Sequence, residues 1–219
     1  MISLDNVTKT YQRNWVALDD VSIEIAKGEF VFITGPTGAG KSTLLRLIYK
    51  DEDPTKGTIK VLDQNLRFLK HKDIPRYRRK IGVIFQDFKL LPDRTLEENV
   101  AFALEVIDTP PRDLKKKLMD ILTYLRLSHK RYFYPYQLSG GEQQKIAIAR
   151  ALVRDPYILL ADEPTGNLDI KSSHDILDIL LDINYKGTTV LMATHNQNLI
   201  KRTKKRVLRI DEGKLVENE

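Results

Sequence analysis

Two stretches of this 219-residue chain hold groups that could act on a phosphate. The first is Gly35-Pro36-Thr37-Gly38-Ala39-Gly40-Lys41-Ser42, which fits the pattern Gly-x-x-x-x-Gly-Lys-Ser/Thr between a strand-like run and a helical one. Glycines in such a loop let the backbone wrap an anion, with successive N–H groups and a helix N-terminus aimed at it. Lys41 would add a full positive charge at the β- and γ-phosphates, Ser42 would ligate Mg2+, and Thr43 would donate to a phosphate oxygen. The bare pattern also describes a glycine-rich turn that caps a helix; the strand before it and the helix after it favour a phosphate loop.

The second stretch is the apolar run Tyr157 to Ala161, closed by Asp162 and Glu163. Asp162 would hold Mg2+, directly or through a water, opposite Ser42, and Glu163 would polarise the water that attacks the γ-phosphate. Standing alone, an apolar run followed by two acids reads more readily as a strand leaving the core. Beside a phosphate loop, the catalytic reading prevails.

These groups need a frame. Glu29 to Thr34, Ile81 to Phe85, Tyr157 to Asp162, Thr188 to Ala193 and Arg206 to Ile210 read as strands, and Lys41 to Lys50 as a helix. Leu114, Leu118, Ile121, Leu122 and Leu125 mark one helical face, and Ile176, Leu180 and Ile183 another. Strands alternating with helices predict an α/β fold with a mostly parallel sheet, whose ligand site lies beyond the carboxyl ends of the strands. Val21, Ile23 and Ile25 alternate, which predicts an N-terminal antiparallel strand pair up to about Ala26. From Thr95 to Arg154 the chain reads as mainly helical, with Pro110-Pro111 between two helices. The expected organisation is one domain over residues 1–219, with a core of 1–86 and 156–219 and an inserted α-helical subdomain at about 87–155.

Composition narrows the class. With 42% hydrophobic and 30% charged residues the chain is an ordinary globular one. Its longest apolar stretches fall well short of the ~18 to 20 residues that a membrane helix needs, so no span is expected. An acid at Asp5 argues against a secretory signal, and the absence of cysteine excludes disulfides, so a cytosolic location is the simplest expectation. The formal charge of +6 gathers at Arg76 to Lys80, Lys115 to Lys117 and Lys201 to Arg206. No aromatic stacking motif interleaves with these clusters, so they read as solvated helix faces ahead of a nucleic-acid or membrane surface.

Leu138-Ser139-Gly140-Gly141-Glu142-Gln143-Gln144, followed by the helical run Ile146 to Val153, resembles the signature of the ATP-binding cassette ATPases. Ser139 and the glycine pair would open a helix whose free N–H groups can meet a second phosphate surface; as a lone Ser-Gly-Gly it would be a plain cap. The resemblance runs in order along nearly the whole chain. It implies a P-loop, RecA-like core that binds ATP with Mg2+, and a homodimer packed head to tail, the phosphate loop of one copy facing Ser139, Gly140, Gly141 and Glu142 of the other. It also assigns Tyr11 to the adenine, with Trp15 nearby as a second aromatic. Gln86 is assigned to Mg2+ and the attacking water, Leu168-Asp169 to the loop that crosses the interface, and His195 to the γ-phosphate.

Phe85 to Val100 and Glu163 to Asp169 are similar to one branch of that family, which holds cell-division, lipoprotein-releasing and export ATPases. Gln86-Asp87 with Leu91-Pro92-Asp93-Arg94-Thr95 resembles the cell-division member most. That resemblance implies an integral membrane partner and hydrolysis that signals to cell-wall hydrolases; lipoprotein release or macrolide and peptide export is the alternative. A soluble cassette acting on DNA or ribosomes would carry a coiled-coil insertion or a second cassette, and neither is present in the sequence. Phe88, Leu90 and Leu91 read equally as a groove for the partner's cytoplasmic helix or as subdomain core. Lys145 and Tyr136 stand where many relatives carry arginine and histidine.

Overall fold

The structure, a computed structural model, describes residues 1–12, 15–107 and 109–218. In chain order the elements begin β1 (Ile2–Thr10), β2 (Val16–Ile25), β3 (Phe30–Thr34), α1 (Lys41–Ile48), β4 (Lys56–Val61), β5 (Gln64–Asn65), α2 (Ile74–Arg78) and β6 (Ile81–Ile84). Three helices follow, α3 (Leu96–Glu105), α4 (Pro111–Tyr124) and α5 (Gly140–Leu152). The chain then runs through β7 (Ile158–Asp162), α6 (Ile170–Tyr185), β8 (Thr189–Ala193), α7 (Gln197–Lys201), β9 (Arg206–Asp211) and β10 (Lys214–Asn218).

The central sheet has six strands in the order β10-β9-β3-β8-β7-β6, and all neighbours pair in parallel except β10, which folds back on β9. Its middle strands are continuous apolar runs because both faces are covered. Alternate residues go to opposite faces. Phe30, Phe32, Leu159, Ala161, Val190 and Met192 pack with α3 to α6, while Val31, Ile33, Ile158, Leu160 and Leu191 pack with α1 and the strands β1, β2 and β4.

The expected N-terminal pair is half of a four-stranded antiparallel sheet, β2-β1-β4-β5. The turn between β4 and β5 runs through Leu62 and Asp63, with φ of 52° and 62°. A two-residue hairpin turn needs that left-handed pair, and it is normally signalled by Asn-Gly or Asp-Gly, so this one gives no sequence cue. The helix expected to reach Lys50 stops at Ile48, and Lys50 itself takes φ 60°. Tyr157 lies one residue before β7, mostly exposed, with its N–H donated to Lys80 O at 2.9 Å.

Between β6 and β7 the three helices start where the local chemistry starts them. Thr95 caps α3 in a reciprocal box with Glu98, Pro111 occupies the first turn of α4, and Ser139 caps α5 in the same way with Glu142. Leu118 and Leu122 bury the inner face of α4; Ile176, Leu180 and Ile183 bury that of α6. Members of each basic cluster are drawn into ion pairs: Arg78 with Asp51 (3.5 Å), Lys117 with Asp155 (2.5 Å) and Arg202 with Asp178 (3.0 Å). No helix among the described residues is long and apolar enough to cross a membrane.

Phe32 has no exposed surface at the centre of the sheet. Truncating it to alanine should cost about 3 to 5 kcal/mol in urea unfolding, whereas Tyr185→Ser, at a side chain 90% exposed, should stay within about 0.5 kcal/mol.

Candidate active site

The loop from Gly35 to Gly40 joins β3 to α1. Gly40 is the N-cap of α1 with φ 109°, and a Cβ there would lie 2.3 Å from Ala17 O, so only glycine lets the turn pass this strand. Gly38 also has positive φ (82°), but a Cβ there would meet nothing within 4 Å. The space above Gly38 is therefore open, as a cradle for a ligand requires. Ala39 closes the loop with its N–H on Pro36 O (3.2 Å), and Thr37 stands exposed at the tip. Helix α1 has no side-chain cap and no acid in its first turn. Its leading N–H groups consequently lack helical partners and add to the positive end of the helix dipole.

Three charged groups converge at this loop. Lys41, buried, donates through Nζ to Gly35 O (2.8 Å) and Pro36 O (2.9 Å), and lies 3.9 Å from Glu163 Oε1. Ser42 Oγ donates to Asp162 Oδ1 at 3.0 Å. Burial pushes the Asp162 carboxyl above its usual range; the Ser42 hydroxyl pulls it back, and the neighbouring Glu163 charge pushes it further up. A divalent cation bound there would supply the charge that reverses this. Hydroxyl and carboxylate oxygens suit Mg2+, which takes one or two carboxylates and completes its shell with waters and substrate phosphates.

Glu163 holds a left-handed backbone (φ 46°) that non-glycine residues adopt at a cost. Its N–H donates to Ala193 O and its carbonyl accepts from Gly166 N–H, both at 3.0 Å, so the neighbouring strand and turn enforce the bend. The bend turns the carboxylate back toward Lys41. Oε1 lies 3.0 Å from His195 Nδ1, while Oε2 is buried without a hydrogen-bond partner among the described residues.

The other expected residues fall into two places. Tyr11 and Trp15 border the loop, with Tyr11 Oη 3.4 Å from Thr43 Oγ1. Gln86 is exposed just past β6; its carbonyl accepts from Asn167 Nδ2 at 3.5 Å, and its amide nitrogen lies 3.3 Å from where a Cβ on Gly166 would be. Ser139 to Glu142 lie apart from the loop, and no hydrogen bond or ion pair among the described residues joins them to residues 35–43. Gly140 and Gly141 instead face Leu168 and Ser172. Ser139 Oγ accepts from Glu142 N–H (3.3 Å), which leaves its own proton free to donate outward.

Two further residues, Lys130 and Asn99, hold these pieces. Lys130 pairs with Glu142 at 2.5 Å. Burial opposes ionisation of Glu142, but Lys130 and the Ser139 N–H outweigh it and hold the carboxyl below its usual range. Asn99, fully buried, accepts from Leu91 N–H and donates to Leu91 O, Arg94 O and Thr95 O, fixing the loop that follows Gln86. A polar residue on the apolar face of α3 was the available cue for Asn99; Lys130 gave none.

Comparison with known proteins agrees with this geometry. Residues 18–166 match the ABC transporter family. The chain is 50% identical to the cell division ATP-binding protein FtsE of Bacillus subtilis, over 100% of this chain and 96% of that protein. It is 48% identical to FtsE of Mycobacterium tuberculosis, over 100% and 96%. Its fold is similar to a dimeric post-hydrolysis state of the ATP-binding cassette MJ0796 bound to ADP and Pi, with a TM-score of 0.89, 37% identity and coverage of 100% and 98%.

Removing the ammonium from the loop should remove affinity for polyphosphate. Lys41→Ala is expected to weaken Mg-ATP binding at least about tenfold, because a charge-assisted contact to phosphate is lost; titration calorimetry reads this directly, and unchanged affinity would contradict the placement of Lys41.

Proposed function

We propose, on the premise that this chain belongs to the ABC transporter family, that it is the ATP-hydrolysing subunit of a membrane complex acting in cell division. The observation that carries the reaction is the meeting of two chain segments: Ser42 with Asp162 at 3.0 Å, and Lys41 with Glu163 at 3.9 Å. ATP is the substrate, with its phosphates on the N–H groups of the loop and on Lys41. Ser42 and Asp162, together with Gln86, would hold Mg2+, which when bound would supply positive charge at the polyphosphate. Glu163 takes the proton of the attacking water as the water oxygen bonds to the γ-phosphorus and the bond from the γ-phosphorus to the β-bridging oxygen breaks, releasing ADP. His195, beside Glu163, is placed to contact the γ-phosphate and to orient the carboxylate.

Half of the phosphate surface belongs to a second copy. Ser139 to Glu142 present a capped helix end, a donor hydroxyl and two glycines, and no hydrogen bond or ion pair among the described residues joins them to their own phosphate loop. A head-to-tail homodimer that sandwiches two ATP molecules uses that surface, and the dimeric state of the MJ0796 cassette supports it.

The membrane partner, an integral membrane protein resembling FtsX, docks on the helical subdomain at about 87–155. A groove of about 370 Å³ opens between β6, α3 and α5, lined by Val83, Phe85, Leu91, Phe102 and Val106 with Arg150 and Arg154 at its edge. Of the three apolar candidates only Leu91 borders it: Leu90 packs into the core, and the Phe88 ring lies 4.0 Å from where a Cβ on Gly140 would be. Arg150 donates to Phe88 O and Lys89 O, so the loop between groove and signature is tied to α5. A cytoplasmic helix pressed into the groove can thus shift Gln86 on one side and the signature on the other. Through its partner the chain works at the inner face of the cell membrane at the division site, and hydrolysis signals to cell-wall hydrolases beyond the membrane. The identity to FtsE proteins supports this role.

Glu163→Gln should bind Mg-ATP normally but turn it over ~10² to 10⁴-fold more slowly; near-normal turnover would remove Glu163 from the mechanism. Val106→Asp places a charge at an exposed edge of the groove. It should abolish co-purification of the membrane partner while ATP binding persists, and retention of the partner would move the docking site elsewhere.

A further inference from the structure

The surplus charge of the chain sits in one segment. Residues 66–80 hold seven Lys and Arg against a single acid, Asp73, a surplus of six that equals the formal net charge of the whole chain, +6, so the remaining residues balance. Arg67, Lys70, Lys72 and Arg76 are exposed and enter no ion pair among the described residues, whereas Arg78 is held by Asp51 at 3.5 Å. The segment is anchored at both ends. Leu66 and Tyr77 are buried in the core, the Tyr77 hydroxyl donates to Ile48 O, and Asn65 Oδ1 accepts from Arg67 N–H at 3.0 Å. Between those anchors the Phe68 ring stands 76% exposed.

An apolar ring fixed in solvent among unpaired cations suits the interfacial layer of an anionic bilayer, where the ring enters the headgroup boundary and long basic side chains reach the phosphates. Phe68 is the one exposed Phe, Tyr or Trp of the segment, so successive bases of a nucleic acid would find no stacking platform, which favours lipid. Position favours it as well. A cavity of about 570 Å³ runs from Tyr49, Asp51 and Arg78 to Val83, Phe85, Lys89 and Arg154, and the last four also line the groove assigned above to the membrane partner. A partner that reaches the groove from the bilayer brings the lipid surface alongside. We propose that residues 66–80 bind the anionic surface of a membrane, with Phe68 in the headgroup layer and Arg67, Lys70, Lys72 and Arg76 on lipid phosphates. The proposed partner supplies the orientation alone, and lipid binding is measured without it.

The full chain is floated with vesicles of phosphatidylcholine mixed with phosphatidylglycerol and, separately, of phosphatidylcholine alone. It should rise with the anionic vesicles only, and less so as salt is raised. Each basic residue at such a surface is worth roughly fivefold in binding. Arg67→Gln, Lys70→Gln, Lys72→Gln and Arg76→Gln combined should therefore lower binding at least about tenfold, and Phe68→Ser alone at least about fivefold. Both variants should keep the urea midpoint of the parent, which shows that they are folded. A control that removes the same charge from other exposed positions, Arg112→Gln, Lys115→Gln, Lys116→Gln and Lys201→Gln combined, should bind as the parent does. Absence of the parent from the anionic vesicles, equal loss in the two combined variants, or no loss with Phe68→Ser overturns the proposal. So does a parent that binds labelled duplex DNA but not vesicles, which would make the segment a nucleic-acid surface. A parent that binds neither, with the membrane partner lost from the combined variant of residues 67–76, would make it a protein contact and overturn the proposal too.

Discussion

In the ladder between β7 and β8, Asp162 stands level with Ala193, and in the ladder between β3 and β8, Ile33 stands level with the same Ala193. Three neighbouring parallel strands therefore end at one height. From those ends spring the phosphate loop, the Asp162-Glu163 pair and the segment leading to His195. The ladder continues one step past the strands, through Glu163 N–H to Ala193 O and Thr194 N–H to Ile33 O, both at 3.0 Å. Because side-chain direction alternates along a strand, a slip of one residue would turn these groups to the wrong face. The buried apolar residues on both faces of the sheet are what forbid the slip, so the core sets the chemistry by setting the register.

The site concentrates opposite charges without neutralising them fully. Lys41 spends its hydrogen bonds on loop carbonyls and stays 3.9 Å from Glu163, while Asp162 takes a neutral hydroxyl as its partner. Buried charges arranged in this way suit a ligand that is itself charged, as the metal-bound polyphosphate of the proposed function would be. The left-handed turn at Glu163 serves the same end, because it keeps one carboxylate oxygen clear of every fixed donor.

Much of this frame was legible in the residues. The apolar runs of β3, β7 and β8 are long enough and sharply enough bounded to be read as strands buried on both faces, and the order of glycine, lysine and serine after the first names a phosphate loop. The antiparallel sheet was half legible: β1 and β2 are adjacent in sequence, but β4 joins them from beyond α1, through a non-local pairing that local pattern does not encode. The Lys130–Glu142 pair was hidden because neither residue type names its partner twelve positions away, whereas the Asn99 clamp is local and showed only as a polar residue on an apolar helix face. The stacking of Trp15 on Tyr11 was suggested but not fixed by two aromatic residues four positions apart.

In the proposed homodimer the other wall of the phosphate site comes from the second copy. The signature helix end is complete as a local structure but belongs spatially to a different surface, so one copy holds a phosphate loop and a base but no second anion-binding wall. The most direct test of this account is the solution mass of the Glu163→Gln chain, measured by light scattering with and without Mg-ATP. The account predicts a single chain without nucleotide and a doubling of mass when Mg-ATP is bound and not cleaved. A mass that stays at one chain with the site saturated would contradict it.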